Sequence, residues 1–239
     1  MTEIDINIIK LTNDISIRTN DRVSIYGKTG TGKTETFIKL MYPQYPRLVF
    51  WDVKRENGNI PHDIMVTNPK DLKKVIDKNN KILYQPKSIE TSDFDEVCQI
   101  IFEAGNIALY VDEVAAVSST NKIEYYHKLI MTQGRSKGIG IVNVSQRPKD
   151  ISNILISESE QFLIFTLTLD PDIKKLENII GKDVAEEIRF LKYHYFLYYN
   201  TRDNIGRLFQ PIGLETEGIP ELKIYKPSLK EYLQQIEGR

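Results

Sequence analysis

Apolar and polar positions follow two periods along this chain, one typical of strands and one typical of helices. Short apolar segments predict buried strands, and the amphipathic stretches between them predict helices. The predicted strands are residues 22–26, 48–51, 82–84, 107–111, 139–145, 162–169 and 195–199. Such alternation is typical of a mainly parallel sheet covered by helices on both faces, and we therefore predict an α/β fold.

Capping residues mark several helix boundaries. Asn68-Pro69 predicts an N-cap with proline in the first turn, and Ser92 with Asp95 three residues later resembles a capping box. A further apolar stripe ends at Gly134 and contains His127. We predict that this histidine is a core residue and not a catalyst.

Charge and cysteine content exclude several classes of protein. The 239 residues include 32 basic and 33 acidic ones, so the chain is not coated in positive charge for wrapping nucleic acid. This balance still allows a local basic patch, which is all that a narrow channel needs. Cys98 is the single cysteine, so no intrachain disulfide can form, and the three histidines stand at no metal-ligand spacing.

Targeting signals are not recognisable in the sequence. No apolar run approaches the roughly 18 residues of a membrane-spanning helix. The first residues lack the basic and apolar regions of a signal peptide. Together with the lone cysteine, this predicts a protein of a reducing compartment, the cytoplasm of the cell that makes it.

A glycine-rich motif carries the strongest chemical signal. Residues 27–34 match G-x-x-x-x-G-K-[ST] at every fixed position, with a predicted strand before them and a helix-forming segment, residues 35–40, after them. Glycines let backbone N–H groups point at phosphate oxygens, and the helix start adds the positive end of its dipole. We predict that Lys33 reaches the β- and γ-phosphates of a nucleoside triphosphate and that the Thr34 hydroxyl binds Mg²⁺. The predicted nucleotide-binding residues are Gly27, Lys28, Thr29, Gly30, Thr31, Gly32, Lys33 and Thr34.

A second apolar segment ends in two acids, Asp112 and Glu113. Asp112 is predicted to hold Mg²⁺ through its water shell, and Glu113 is placed to polarise an attacking water. A strand that ends in Asp-Glu is a weak signal alone and a strong one behind a phosphate loop. Because a kinase or a nucleotide switch has less need of the adjacent glutamate, the pair favours hydrolysis.

Four sequence blocks together resemble the FtsK/HerA superfamily of hexameric DNA-pumping ATPases. They are GKTGTGKT at Gly27, FWDVKREN at Phe50, YVDEV at Tyr110 and GRSKGIGIVNVSQRP at Gly134. The first and third occur in many ATPases. The fourth is more specific, because an arginine, a glycine-led strand and a terminal Gln-Arg-Pro recur together at similar spacing. The resemblance implies a RecA-like (ASCE) P-loop NTPase, with strand 139–145 between the phosphate-loop strand and the strand that ends at Asp112.

The resemblance also implies roles for two residues of the fourth block, which join Lys33 and Glu113 in the predicted catalytic set. Gln146 matches the polar sensor that hydrogen-bonds the γ-phosphate or the attacking water, and its amide both donates and accepts. Arg135 matches the arginine that reaches a neighbouring subunit's nucleotide, where a guanidinium neutralises charge developing in phosphoryl transfer. The other interpretation of Arg135 is an interaction with the negative end of the preceding helix.

Several nearby residues keep open interpretations. Lys54 lies near the nucleotide, at an interface or in solvent, and Asp52 is the more plausible contributor from that strand. Arg147 fits either a subunit contact or a salt bridge. The loops around Asn121-Lys122 and Lys149-Asp150 are candidate DNA contacts or ordinary solvated surface.

The expected function is ATP-driven translocation of double-stranded DNA. The sequence contains little more than a motor, and so it most resembles the small genome-packaging ATPases of membrane-containing double-jelly-roll viruses. That resemblance implies hydrolysis of ATP with Mg²⁺ in a homo-oligomeric ring, a hexamer in related pumps. It also implies capsid or portal-vertex proteins as partners and a place in the host cytoplasm or the virion.

Three alternatives stay open at this point. They are a plasmid or chromosomal pump in conjugation or segregation, a filamentous-phage assembly or secretion ATPase, and a nucleotide-dependent switch or kinase. We predict a P-loop ATPase motor domain over residues 1–212. Residues 213–239 are predicted to form a carboxyl-terminal arm or packing helix, because residues 213–220 are the plausible linker.

Overall fold

The computed structural model describes residues 8–10, 16–88, 90–211 and 221–222. Most of the predicted arm therefore lies outside the described residues, and the division at residue 212 stays a prediction. The strands are β1 (Ile8–Lys10), β2 (Ser16–Arg18), β3 (Arg22–Tyr26), β4 (Leu48–Asp52), β5 (Ile64–Val66), β6 (Lys81–Tyr84), β7 (Ala108–Asp112), β8 (Gly140–Ser145), β9 (Gln161–Phe165), β10 (Phe196–Asn200), β11 (Ile205–Phe209) and β12 (Glu221–Leu222). The α-helices are α1 (Lys33–Thr36), α2 (Pro69–Val75), α3 (Thr91–Ala104), α4 (Tyr125–Gln133), α5 (Asn153–Ser157), α6 (Asp170–Ile180) and α7 (Lys182–Glu187).

Ten of these strands form one sheet in the order β12-β11-β10-β9-β3-β8-β7-β4-β6-β5. The strands from β9 to β5 run parallel to one another, whereas β10, β11 and β12 are antiparallel. Strand β8 lies between β3 and β7, as the resemblance implied. The mainly parallel α/β fold is confirmed.

Two apolar cores cover the two faces of this sheet. Successive side chains of a strand point to opposite faces, so Val49 and Trp51 of β4 join one core and Leu48 and Phe50 join the other. Helices α2 to α7 pack against the first core, and the helical turns that continue α1, residues 37–44, pack against the second. Every residue of β4, β7, β8 and β9 is buried, which explains why these strands read as continuous apolar runs.

The helix that follows the glycine motif changes pitch after one turn. Residues Lys33–Thr36 are α-helical, Phe37–Met41 form a π-helical turn and Tyr42–Gln44 a 3₁₀ turn. The Phe37 ring stacks on Tyr110 of β7 with ring centroids 4.1 Å apart. This stack holds the start of the helix against the centre of the sheet.

Some predicted boundaries were wrong. The predicted strand 162–169 ends at Phe165, because the chain then turns and the Thr166 carbonyl accepts a hydrogen bond from Lys28 N–H. Leu167 is buried outside the strand, and Leu169 is 46% exposed. The short strands β1, β2, β5, β11 and β12 were not predicted.

The caps had mixed outcomes. Asn68 caps α2 as predicted, its side-chain oxygen accepting from the Asp71 N–H at 3.0 Å. The capping box predicted at Ser92 was wrong, because the Asp95 carboxylate accepts instead from backbone N–H groups in the first turn of α4, those of Tyr126 at 2.7 Å and His127 at 3.1 Å. His127 is fully buried, as predicted. No helix in the described ranges is long and apolar enough to cross a membrane.

Candidate active site

Four neighbouring strands end at one edge of the sheet, and the predicted site residues follow them. The glycine loop, residues 27–34, follows β3, Gln146 follows β8, Glu113 follows β7, and Lys54 comes two residues after β4. Because carboxyl ends of parallel strands share an edge, residues far apart in sequence lie side by side here. We call this side of the sheet the carboxyl edge.

The glycine loop is attached to the strands on either side of β3. The Gly27 N–H donates to the Ser145 carbonyl at 3.3 Å, and the Lys28 N–H donates to the Thr166 carbonyl at 3.2 Å. A Cβ atom at Gly27 would lie 2.5 Å from the Phe165 Cβ. Only glycine fits there, so the first fixed position of the motif is required by packing as well as by the course of the loop.

Lys33 lies inside the loop. Its ammonium donates to two carbonyls of the same loop, those of Gly27 at 2.7 Å and Lys28 at 2.8 Å. Burial lowers the pKa of the Lys33 ammonium to about 8, and the nearby Glu113 carboxylate opposes this shift. The lysine is thus a desolvated cation aimed at the centre of the loop, where it can attract polyphosphate.

Glu113 is held in a left-handed backbone conformation, with φ of 60°. One carboxylate oxygen accepts from the Ser145 hydroxyl and from the Gln146 N–H, each at 3.4 Å. The other lies 3.6 Å from the Lys54 ammonium. All three contacts are long. The positive φ of a non-glycine residue is a separate feature, and it is typical of functional sites.

Gln146 reaches the tip of the glycine loop. Its side-chain oxygen accepts from the Thr29 hydroxyl at 2.6 Å. Because its backbone N–H donates to Glu113, Gln146 connects the loop with the Glu113 carboxylate. The structure brings together the glycine loop, Lys33, Glu113 and Gln146 as the sequence predicted, although their roles stay predictions.

Asp112 and Thr34 offer the oxygen ligands that suit Mg²⁺. Asp112 ends β7 with its side chain buried, and Thr34 lies in the first turn of α1. Burial raises the pKa of the Asp112 carboxyl to about 6, while the Lys54 ammonium opposes the shift. Mg²⁺ is usually held by one or two carboxylates, with substrate phosphates and water completing its coordination. A buried carboxylate and a threonine hydroxyl are ligand types that fit that pattern.

The residues with open interpretations now have definite surroundings. Lys54 is in the site, within ion-pair distance of Glu113. Asp52 is fully buried, and its carboxylate accepts from Asn57 and Gln85 side chains, each at 3.0 Å, so it shapes the turn after β4. Arg147 forms a salt bridge with Asp172, with Nε and Oδ2 2.8 Å apart.

Arg135 lies at the opposite side of the sheet, which we call the amino edge. There it belongs to a group of five charged residues, the amino-edge cluster: Asp21, Arg22, Arg135, Glu160 and Arg202. Arg202 lies 2.9 Å from Asp21 and 2.8 Å from Glu160, and Arg22 lies 3.0 Å from Glu160. Arg135 forms ion pairs with the same two carboxylates. Its side chain is 38% exposed, although its Nε and Nη2 atoms are buried, and it lies on the side of the sheet away from the glycine loop of its own chain.

The sequence analysis missed the partners of Arg135. Asp21 and Glu160 each stand directly before a buried strand, and Arg202 lies in the turn between β10 and β11. A charged residue before a strand is common, so the sequence held no signal specific to this cluster. The sequence analysis also missed Tyr193 and His194, whose ring centroids lie 4.3 Å apart beside the glycine loop.

Comparisons with known proteins agree with this architecture. No family model matches the chain. It is 27% identical over 215 residues to the DNA packaging ATPase P9 of Enterobacteria phage PRD1, covering 85% of this chain and 90% of that protein.

Solved structures share the fold. The genome packaging NTPase B204 from Sulfolobus turreted icosahedral virus 2, in complex with ATP-gammaS, superposes with a TM-score of 0.72 at 17% identity, over 82% of this chain and 99% of that one. The pCW3 conjugation coupling protein TcpA superposes with a TM-score of 0.53 at 13% identity, over 100% of this chain and 72% of that one. At these identities the likeness concerns the fold alone. The resemblance predicted from the four blocks is confirmed: in sequence and in fold this chain is like the P-loop ATPases of viral genome packaging.

Proposed function

We propose that this protein is an ATPase that moves double-stranded DNA, and that it packages a viral genome into a preformed capsid. The observation that carries the proposal is the convergence of Glu113 and Gln146 on the glycine loop. An acid and an amide beside a phosphate-binding loop are the parts that water activation and γ-phosphate sensing require. The likeness to P9 supports the choice of DNA packaging among the uses of such a site.

The residues of the site have separate tasks in this proposal. The Lys33 ammonium exchanges its loop carbonyls for β- and γ-phosphate oxygens. Glu113 accepts a proton from the attacking water, and Gln146 hydrogen-bonds that water or the γ-phosphate. Thr34 and Asp112 are the residues that would hold Mg²⁺, which when bound neutralises charge on the phosphate oxygens.

The position of Arg135 supports a ring of identical subunits. This arginine lies across the sheet from its own glycine loop, and its side chain is partly exposed. Such a position suits contact with the nucleotide of a neighbouring subunit. We propose a hexamer by analogy with related pumps, with capsid or portal-vertex proteins as docking partners.

Mixed rings test the role of Arg135. We expect Arg135→Ala subunits, mixed with wild-type subunits, to lower ATPase activity by more than the fraction of variant subunits, because each variant subunit also disables its neighbour. Activity strictly proportional to the normal fraction would contradict action across subunits. Lys128→Ala, a change in exposed α4 surface, is the matched control.

The two loops proposed to contact DNA lie side by side. The Thr120 hydroxyl donates to the Lys149 carbonyl at 3.2 Å, which brings the loop around Asn121-Lys122 next to Lys149-Asp150. Both lysines are within reach of acids, Lys122 of Glu124 at 2.6 Å and Lys149 of Asp150 at 3.3 Å. Phosphate contacts from these loops would carry little sequence preference, which suits a motor that releases and regrips DNA.

DNA-stimulated hydrolysis is the test of the proposed function. ATP turnover is measured without nucleic acid, with long duplex DNA and with single-stranded DNA of equal length. We expect duplex DNA to stimulate turnover most, and we expect the stimulation to fall as salt rises, because phosphate contacts release counterions. Hydrolysis that duplex DNA leaves unchanged at low salt would remove the DNA motor and leave an ATPase.

A matched pair of lysine variants serves as the control for this assay. Lys33→Ala should lose nucleotide binding and all stimulated turnover. Lys74→Ala, at a side chain 72% exposed on α2, should behave like the normal protein. Turnover that survives Lys33→Ala would point to a contaminating ATPase.

A further inference from the structure

A cavity opens directly beside the glycine loop, along one face of α1 and its continuation. Its volume is about 250 Å³. One wall consists of four residues at helical spacing: Gly32, Glu35, Thr36 and Lys39. Residues three and four apart share a face of a helix, so this wall runs straight from the glycine loop along the helix. A ligand seated in the loop can therefore extend into the cavity.

The opposite wall comes from the connection between β9 and β10 and from the end of β11. It includes His194 and Pro211. The His194 ring packs against Tyr193 at an interplanar angle of 70°. The cavity thus lies between a helix face on one side and an imidazole ring on the other.

The Tyr193–His194 turn lies on the glycines of the loop. A Cβ atom at Gly32 would lie 3.0 Å from the His194 Nδ1, and one at Gly30 would lie 2.6 Å from the Tyr193 hydroxyl. Both glycines also have positive φ, 77° at Gly30 and 94° at Gly32. They are therefore needed for this contact as well as for the curl of the loop.

The backbone of His194 is itself in the left-handed region, with φ of 67°. Glycine or asparagine takes that conformation with less strain than histidine. Strained backbone of this kind is typical of functional sites.

From these observations we propose that the cavity holds the nucleobase of the bound nucleotide, stacked on the His194 ring. This rests on the proposed function, because the phosphates must occupy the glycine loop. The helix wall supplies polar groups at the base edge, where the Lys39 ammonium and the Glu35 carboxylate form a pair 2.6 Å apart. Tyr193 acts as a positioning residue, because its ring packs on the imidazole.

Comparing ADP with inorganic pyrophosphate tests the inference. Both ligands offer two phosphates to the loop, but only ADP carries a base and a ribose. In calorimetric titrations we expect the normal protein to bind ADP more tightly than pyrophosphate. Since asparagine tolerates positive φ, His194→Asn removes the ring without forcing the turn to change. We expect it to weaken ADP binding about tenfold, the scale of one lost base stack, and to leave pyrophosphate binding unchanged.

Phe190→Ala provides the matched control. Phe190 is another aromatic residue of the β9–β10 connection, 76% exposed, and it does not line the cavity. This variant should bind both ligands normally. The inference is overturned if His194→Asn weakens both ligands equally, if it weakens neither, or if Phe190→Ala reproduces its effect. A normal protein that binds neither ligand would overturn the proposed function together with the inference.

Discussion

The two edges of the central sheet use charge in opposite ways. At the amino edge, Arg22 and Arg202 lie 2.8–3.0 Å from Glu160 and Asp21, while Arg22 lies 3.5 Å from Glu158 and Arg135 lies 3.6 Å from Asp21. At the carboxyl edge, Glu113 has three contacts of 3.4–3.6 Å, and Lys33 is bound only to carbonyls of its own loop. Charges paired closely within the chain are occupied, and breaking a buried pair is costly, whereas a carboxylate with long contacts is available to a ligand. Charge density alone therefore does not identify the site, but the glycine loop beside Lys33 and Glu113 does.

The largest expected effect concerns Glu113 at the carboxyl edge. Glu113→Gln removes the base but keeps the shape, so turnover should fall about a thousandfold, within the usual range for general-base catalysis. Nucleotide affinity and the melting temperature should change little. Steady-state kinetics and calorimetry check this, with Glu103→Gln, half exposed on α3, as the control. Appreciable turnover by Glu113→Gln would contradict the assigned role.

A substitution at the amino edge should change the stability of the fold. Glu160→Gln leaves Arg22 and Arg202 short of a buried carboxylate and should lower the free energy of unfolding by about 3 kcal/mol. Glu158→Gln is the control, because Glu158 is 39% exposed and lies 3.5 Å from Arg22. It should cost less than about 1 kcal/mol. Urea denaturation that gives equal losses for the two variants would break the comparison between the edges.

Substitution of Asp112 should change the free energy of unfolding in the opposite direction. Its folded pKa, about 6, lies above the ordinary value of 3.8, so the charged form destabilises the fold. That destabilisation grows as the pH rises from about 4 to about 6 and is fully present above pH 6. Without Mg²⁺ or nucleotide, Asp112→Asn should therefore raise the free energy of unfolding by roughly 2 kcal/mol at pH 8 and by less at pH 5.

Asp52→Asn is the matched control for that experiment. Asp52 and Asp112 are paired neighbours at the ends of β4 and β7. Because the Asp52 carboxylate already accepts hydrogen bonds from Asn57 and Gln85, its substitution should destabilise the protein. Equal effects from the two asparagine variants would show that burial alone does not distinguish the two aspartates.

The smallest expected effect is at Thr29. Thr29→Val removes the hydroxyl that donates to the Gln146 oxygen, a contact worth about 1 kcal/mol. Turnover should therefore fall about fivefold, while the affinity for ADP stays the same. Thr132→Val removes a similar exposed hydrogen bond on α4 and should leave turnover unchanged. A drop in ADP affinity for Thr29→Val would mean that this hydroxyl serves binding and not the orientation of Gln146.

The sequence predicted the site well where one local pattern sufficed. The glycine motif fixes the end of β3, and apolar runs mark β4, β7 and β8 because those strands are buried on both faces. Strand 162–169 was predicted too long because Leu167 and Leu169 continue the apolar pattern after the chain has left the sheet. Nothing local distinguishes an apolar residue in a strand from one in a loop that packs on the core.

Contacts between distant segments could not be predicted from the sequence. Asp95 matched a local capping box, yet its carboxylate caps α4, a helix that begins 30 residues later. His194 belongs to no motif, and its position beside Gly32 depends on how β9, β10 and the glycine loop come together. Resemblance supplied the order of the central strands, which residue patterns alone do not fix.

Strand β9 is fixed at one end to the amino-edge cluster and at the other end to the glycine loop. Glu160, directly before it, binds Arg202 and Arg22, and Thr166, directly after it, accepts from Lys28 in the glycine loop. Five strand residues span about 16 Å. A single stiff segment thus connects the glycine loop with the amino-edge cluster, so the distance between them is set by regular backbone geometry and not by a flexible connection.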